Sequence, residues 1–167
     1  LDNSGIFNPI VWDLNMSFGS FRLADASSFY SGFSIVEAQT LDPLSHYNDI
    51  SVYPRPLLRN LFNEERYRKM YIAHIRTIVE ENFNNQDYIS RANYFQSLIN
   101  NSVINDTNKF YSDLDFQNNL TSTVTDLIAY PGLSELMNSR SVYLSNYPGF
   151  NGAPSIDSTN YSPLNFN

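Results

Sequence analysis

From Pro56 onward the apolar residues recur every three or four positions, and this helical period persists to Leu144. Pro56 suits the first turn of a short helix over residues 57–62, because its missing N–H would have no intrahelical partner there. Asn63 is placed to cap the next helix, with Glu64 and Glu65 at the positive end of its peptide dipoles. That helix carries the stripe Tyr67, Met70, Tyr71, His74, Ile75, Ile78 and Val79, and the polar residues 82–85 close it. A further helix is predicted over 87–102, burying Tyr88, Ala92, Phe95, Leu98 and Ile99. Another begins at a Ser112 or Asp113 cap, passes through Phe116, Leu120, Val124, Leu127 and Ile128, and stops before Pro131. The last, over 133–144, offers Leu133, Leu136, Met137, Arg140, Tyr143 and Leu144. Four amphipathic helices with short connections predict a bundle.

The first 55 residues read differently. Residues 1–22 look like short strands and turns, with Ile10-Val11-Trp12 β-prone and Ser17 to Phe21 alternating. Residues 23–55 are irregular apart from a faint helical pattern at 34–40, and a long irregular stretch in a compact domain is often functional. The expected fold class is therefore mainly α with a minor α+β character, a small strand region at the N-terminus preceding the helices. After residue 145 the composition shifts again. Tyr147-Pro148-Gly149 and Gly152-Ala153-Pro154 punctuate the chain, and residues 155–163 alternate like an opening strand. We read 1–145 as one domain and 146–167 as a linker followed by the start of a truncated β-domain.

Aromatic residues make up 15% of the 167, so there is enough apolar area for a core, and a disordered chain is excluded. The net charge of −7 disfavours a nucleic-acid partner. Six of the ten basic residues cluster as Arg55, Arg59, Arg66, Arg68, Lys69 and Arg76, which reads as a solvated helix face interleaved with Glu64, Glu65, Glu80 and Glu81. With no cysteine there is no disulfide, thiolate metal site or cysteine nucleophile. No apolar run reaches the length of a membrane span. The chain does not begin with Met, and we expect an excised segment of a longer protein, so that the lack of a leader is silent about destination.

One stretch carries candidate chemistry: Pro9-Ile10-Val11-Trp12-Asp13-Leu14-Asn15-Met16-Ser17-Phe18-Gly19. An apolar run ending in Trp-Asp-x-Asn sets a carboxylate and an amide oxygen at the end of a buried element, and hard cations such as Mg²⁺ take oxygen ligands. Asp13 is then a metal ligand and Asn15 a second oxygen donor. The competing reading makes Asp13 the cap of a turn and Trp12 a core residue, because Asp-x-Asn is common in turns. His46 and His74 are too few and too far apart for a metal site, and His74 on its apolar stripe reads as a hydrogen-bonded core histidine. Arg140 reads as one half of an internal ion pair. The five Asn-x-Ser/Thr triplets, starting at Asn15, Asn100, Asn105, Asn119 and Asn160, partly fall on predicted helices and are discounted as glycosylation sites.

The stretch from Pro9 to Gly19 resembles the Pro-x-x-Trp-Asp-x-Asp-x-x-x-Gly segment of the CotH family, atypical secreted protein kinases named for a spore-coat protein. Arg55-Pro56-Leu57-Leu58 running into Tyr67-Arg68-x-x-Tyr71-Ile72 is similar to that family's C-terminal half. So is the closing Gly132-Leu133 to Arg140-Ser141-Val142-Tyr143-Leu144 helix. The resemblance, over roughly residues 6–145, implies the helical C-terminal lobe of an atypical kinase-like fold. It implies transfer of the ATP γ-phosphoryl group to Ser or Thr of an exported protein, outside the cell or on a bacterial surface. Asp13 stands at the family's metal-binding Asp and would hold Mg²⁺ against the nucleotide, whereas the family's second Asp is Asn15 here. The family's nucleotide-binding lysine, its partner glutamate and its catalytic aspartate precede the Trp-Asp motif and have no counterpart in these residues. The resemblance thus assigns no catalytic residue to this chain. It implies a segment inactive alone, with Mg²⁺ and ATP used by the full-length parent and the N-terminal half of the domain as its missing partner. The alternative is a non-catalytic secreted scaffold or protein- or glycan-binding module of the same fold.

Overall fold

The computed structural model describes residues 5, 8–12, 14, 17–19, 34–48, 55–125 and 129–150. The described residues are mainly helical: α1 (Ile35–Thr40), α2 (Ser45–Asn48), α3 (Pro56–Asn63), α4 (Glu65–Ile78), α5 (Asp87–Asn105), α6 (Asp113–Asn118) and α7 (Leu133–Ser145). Between α6 and α7 lies a small antiparallel hairpin, β1 (Val124–Thr125) and β2 (Ala129–Tyr130), pairing Val124 with Tyr130.

Local chemistry accounts for three of the helix starts. The faint pattern at 34–40 is α1, opened by a reciprocal box in which Glu37 N donates to Ser34 Oγ at 3.2 Å and Ser34 N donates to the Glu37 carboxylate at 2.7 Å. Pro56 is the first residue of α3, as expected. Ser112 and Asp115 make the same kind of box for α6. Asn63 is not a cap: it ends α3, and Glu64 turns the chain with extended backbone (φ −79°, ψ 113°) into α4. Arg68 braces that break by donating to the carbonyls of Phe62 and Asn63, which have no helical partner of their own.

Two predicted faces require correction. On α4 the buried side holds Ile72 and Ala73, continued by Val79 just past its end, with Arg68, Tyr71, Ile75 and Arg76 half-buried, whereas Tyr67, Met70, His74 and Ile78 face solvent. The true face is turned by about one residue step. Arg68 and Arg76 occupy it with their aliphatic stems and spend their cations on carbonyls, Arg76 reaching Phe150 O at 3.5 Å. The basic cluster is thus only partly a solvated face, although Lys69–Glu65 and Arg76–Glu80 are the expected pairs at one-turn spacing. On α5 the expected span extends to Asn105 and Tyr88 is buried, but Phe95 (57% exposed), Leu98 (63%) and Ile99 (46%) are not.

The predicted helix through Ile128 breaks after Asn118. Thr121-Ser122-Thr123-Val124-Thr125 is a run of β-branched and hydroxyl residues, which lose side-chain freedom in a helix and suit a strand. Leu127 and Ile128 lie outside the described residues. In the N-terminal region, the described residues 8–12 contain no strand, and the paired strands sit in the 124–130 hairpin instead.

Two buried clusters hold the helices together. Ile72, Val79, Leu144 and Phe150 form one; Tyr88, Leu136 and Met137 form the other. α7 contributes to both and packs on α1 and on the widened π-type turn Val79–Phe83 that follows α4. A 3₁₀ turn, Pro148–Phe150, brings Phe150 back onto α4, so residues 147–150 belong to the helical body. Residues 151–167, where the second β-domain is expected, lie outside the described residues.

Candidate functional site

Asp13 and Asn15 themselves fall outside the described residues; their neighbours do not. Ile10, Val11 and Trp12 are exposed, Trp12 at 80%, rather than closing a buried element. A three-residue apolar run following a proline cannot satisfy its own amides, and no described strand pairs with it. Trp12 is therefore not a core residue of this chain.

Beyond the motif the backbone turns sharply. Ser17 N donates to Leu14 O at 3.0 Å, and two successive residues, Phe18 (φ 57°) and Gly19 (φ 76°), are left-handed. Gly19 takes this conformation freely, but a bulky residue such as Phe18 does so only where its surroundings demand it, and such residues cluster at functional turns. The turn is seated on the helical body: a Cβ added at Gly19 would lie 3.2 Å from Ala38 Cβ in α1 and 3.5 Å from both Leu136 Cδ2 in α7 and Pro131 Cγ. Beside it runs an open, largely apolar groove of about 540 Å³, lined among others by Phe18, Ile99, Phe116, Tyr130 and Leu133.

α1 is in turn tied to α7. Arg140 donates to Gln39 O at 3.3 Å and to Leu41 O, and Gln39 Nε2 donates to Glu135 O at 3.0 Å. Arg140 thus takes backbone carbonyls where an ion pair was expected, with its guanidinium 5.4 Å from the centre of the Tyr143 ring. Carbonyls at a helix C-terminus suit a planar cation with several donors. Burial holds the Arg140 pKa below its usual value, with Tyr143, Tyr71 and Asp42 acting in the opposite sense. The turn after α1 is gripped twice more: Tyr71 Oη donates to Pro43 O at 3.2 Å and Tyr147 Oη to Asp42 Oδ1 at 3.1 Å. Burial, then the Asp42 hydrogen bond, pushes the Tyr147 hydroxyl up to about 12.

His74 is exposed and is not a core histidine; the His46 side chain lies outside what the structure describes. Asn119 is the residue that sequence reasoning undervalued. Its side-chain amide donates to Ser122 O (3.4 Å), Tyr130 O (3.1 Å) and Pro131 O (3.3 Å), locking the hairpin to the start of α7. Its Asn-Leu-Thr context suggested only a discounted sugar acceptor. Among the described residues, no three His, Asp or Glu side chains converge to hold a metal. Asp13 and Asn15 are oxygen donors of the kind Mg²⁺ accepts, and two such ligands leave most of an octahedral shell to water and phosphate, as is usual for this ion.

Among the described residues, a helical body carries a turn with two left-handed residues, Phe18 and Gly19, set against α1 and α7. The CotH kinase protein family model matches residues 1–143, and the chain belongs to that family. Membership implies use of ATP. No curated protein and no solved structure matches the chain. No helix among the described residues is long and apolar enough to cross a membrane.

Proposed function

We propose that this chain is the metal-binding, helical part of a kinase that transfers the ATP γ-phosphoryl group to Ser or Thr of an exported protein, outside the cell or at its surface. The observation that carries this reading is the family match over residues 1–143, with the Trp-Asp-x-Asn-x-x-x-Gly motif inside it. In phosphoryl transfer the acceptor hydroxyl oxygen bonds to the γ-phosphorus, the bond to the ADP oxygen breaks, and the protein contributes positioning and charge neutralisation. Mg²⁺, when bound, would neutralise the phosphate oxygens. Asp13 would hold that ion by its carboxylate and Asn15 by its amide oxygen, with one negative charge fewer than an Asp pair provides. The family's nucleotide-binding lysine and catalytic base are not assigned to any residue here.

The alternative keeps the fold without catalysis, as a scaffold or protein-binding module. The exposed apolar residues Phe95, Leu98 and Ile99 on α5 favour it, since contiguous apolar surface commonly marks a partner. Thermal melting of the full-length protein with and without Mg²⁺ and ATP separates the two. Saturation at a hundredfold over Kd should stabilise the kinase by about 2.7 kcal/mol, and Asp13→Ala should remove the effect. No shift at millimolar ligand would leave the module.

A further inference from the structure

We propose that two copies of this chain pair through the outer face of α4, antiparallel, about a two-fold axis at His74. The face is Tyr67, Met70, His74 and Ile78, whose spacing of three, four and four residues makes one stripe along the helix. Ile72 and Ile75 already commit the other side of α4 to the core. A surface helix is ordinarily apolar on one side alone. Here Tyr67 (46% exposed), Met70 (43%) and Ile78 (50%) give α4 a second apolar side, and such surface marks an interface.

The stripe is its own complement when reversed. His74 is the midpoint, four residues from Met70 and four from Ile78. A two-fold axis there sets Met70 against Ile78 of the second copy, twice over, as an isologous interface requires. The charges share that symmetry. Lys69 pairs with Glu65 and Arg76 with Glu80 inside the helix, and Arg68 is spent on carbonyls. Arg66 near one end and Glu81 near the other are exposed and make no ion pair among the described residues. In the antiparallel register Arg66 falls opposite Asn82 of the second copy, one residue from its Glu81, so each end gains a pair of opposite charges. Glu64 lies further out, opposite Asn84 of the second copy. A parallel pairing would bring Arg66 against Arg66 and Glu81 against Glu81. Four residues per copy make a small seam at the weak end of protein interfaces, so the pairing is reversible and depends on concentration.

Sedimentation equilibrium of the 167-residue chain, from about 10 μM to about 1 mM, reads the association. Wild type should follow a single monomer–dimer equilibrium. Ile78→Lys should stay monomeric throughout, and its melting temperature in dilute solution should match that of wild type, because the position is half exposed. Arg66→Glu and Glu81→Arg should each weaken pairing about tenfold, since two surface attractions become repulsions. The two changes together should restore it. Leu98→Lys, on the exposed face of α5, should pair like wild type. A wild-type chain that remains monomeric over this range overturns the proposal, and so does a dimer that survives Ile78→Lys. A dimer abolished by Leu98→Lys instead moves the interface to α5. If Ile78→Lys dissociates the dimer but Arg66→Glu leaves it unchanged, the antiparallel register is overturned.

Discussion

Gly132 presses so closely on Ser122 that a Cβ at position 132 would lie 2.4 Å from the Ser122 nitrogen. The backbone of Gly132 itself is ordinary (φ −63°, ψ 138°), so the requirement for glycine is spatial and not conformational. The contact lets Leu133 N donate to Asn119 O at 3.0 Å and Ser134 N to Leu120 O at 2.9 Å, so α7 starts on the carbonyls of the segment that follows α6. Thr123 adds a clasp by donating through its amide and hydroxyl to Glu135 Oε2 at 2.8 and 2.7 Å. Gly132→Ala must push these strands of backbone apart. We expect a loss of about 3 kcal/mol, at the upper end for overpacking, seen as a lower denaturant midpoint with an unchanged slope.

Arg140→Met keeps the aliphatic bulk and removes the donors that serve Gln39 O and Leu41 O. Leaving partly buried carbonyls without partners should cost about 2 kcal/mol. Arg140→Lys should recover only part of this, because an ammonium cannot fork across two carbonyls as a guanidinium does. Equilibrium unfolding of the three proteins checks the order wild type, lysine, methionine.

Tyr147 predicts a loss of stability in alkali. Its hydroxyl titrates at about 12 in the folded chain, above the ordinary tyrosine value near 10. A raised folded pKa means that the unfolded chain releases its proton first. The stabilisation is thus complete below pH 10 and declines as pH rises from 10 towards 12. Tyr147→Phe should be less stable than wild type at pH 8, with a gap that narrows across that window. A constant gap would show that the Asp42 hydrogen bond has no linkage to the hydroxyl proton.

Leu98→Lys tests the exposed face of α5. A core leucine replaced by lysine would unfold a domain of this size, but Leu98 is 63% exposed. The substitution should change stability by no more than about 0.5 kcal/mol, and the same denaturation measurement reads it.

The parts of the fold that were legible in the sequence are those fixed by local chemistry. Pro56 marks the start of α3, Asp87 the start of α5, and the Leu133/Leu136/Met137/Leu144 pattern the inner face of α7. Where long-range packing decides, the pattern misleads. Counting only apolar residues rotates the face of α4, because Arg68 and Arg76 lie on its inner side. It also runs α6 into the hairpin, because Val124 fits a helical stripe as well as a strand. The candidate site divides in the same way. The Trp-Asp-x-Asn spelling is visible in one dimension, but the seat for Gly19 comes from Ala38, Pro131 and Leu136, 19 to 117 positions away along the chain.

The manner in which α7 begins has a consequence for anion recognition. The leading amides of a helix are a ready receptor for phosphate, yet here the Leu133 and Ser134 N–H groups are consumed by Asn119 and Leu120. Glu135 adds negative charge in the same first turn. A triphosphate approaching this end of α7 would find those two amides taken and a carboxylate beside them. The start of α7 thus serves to join the hairpin to the helix, and its first two amides are spent on that junction.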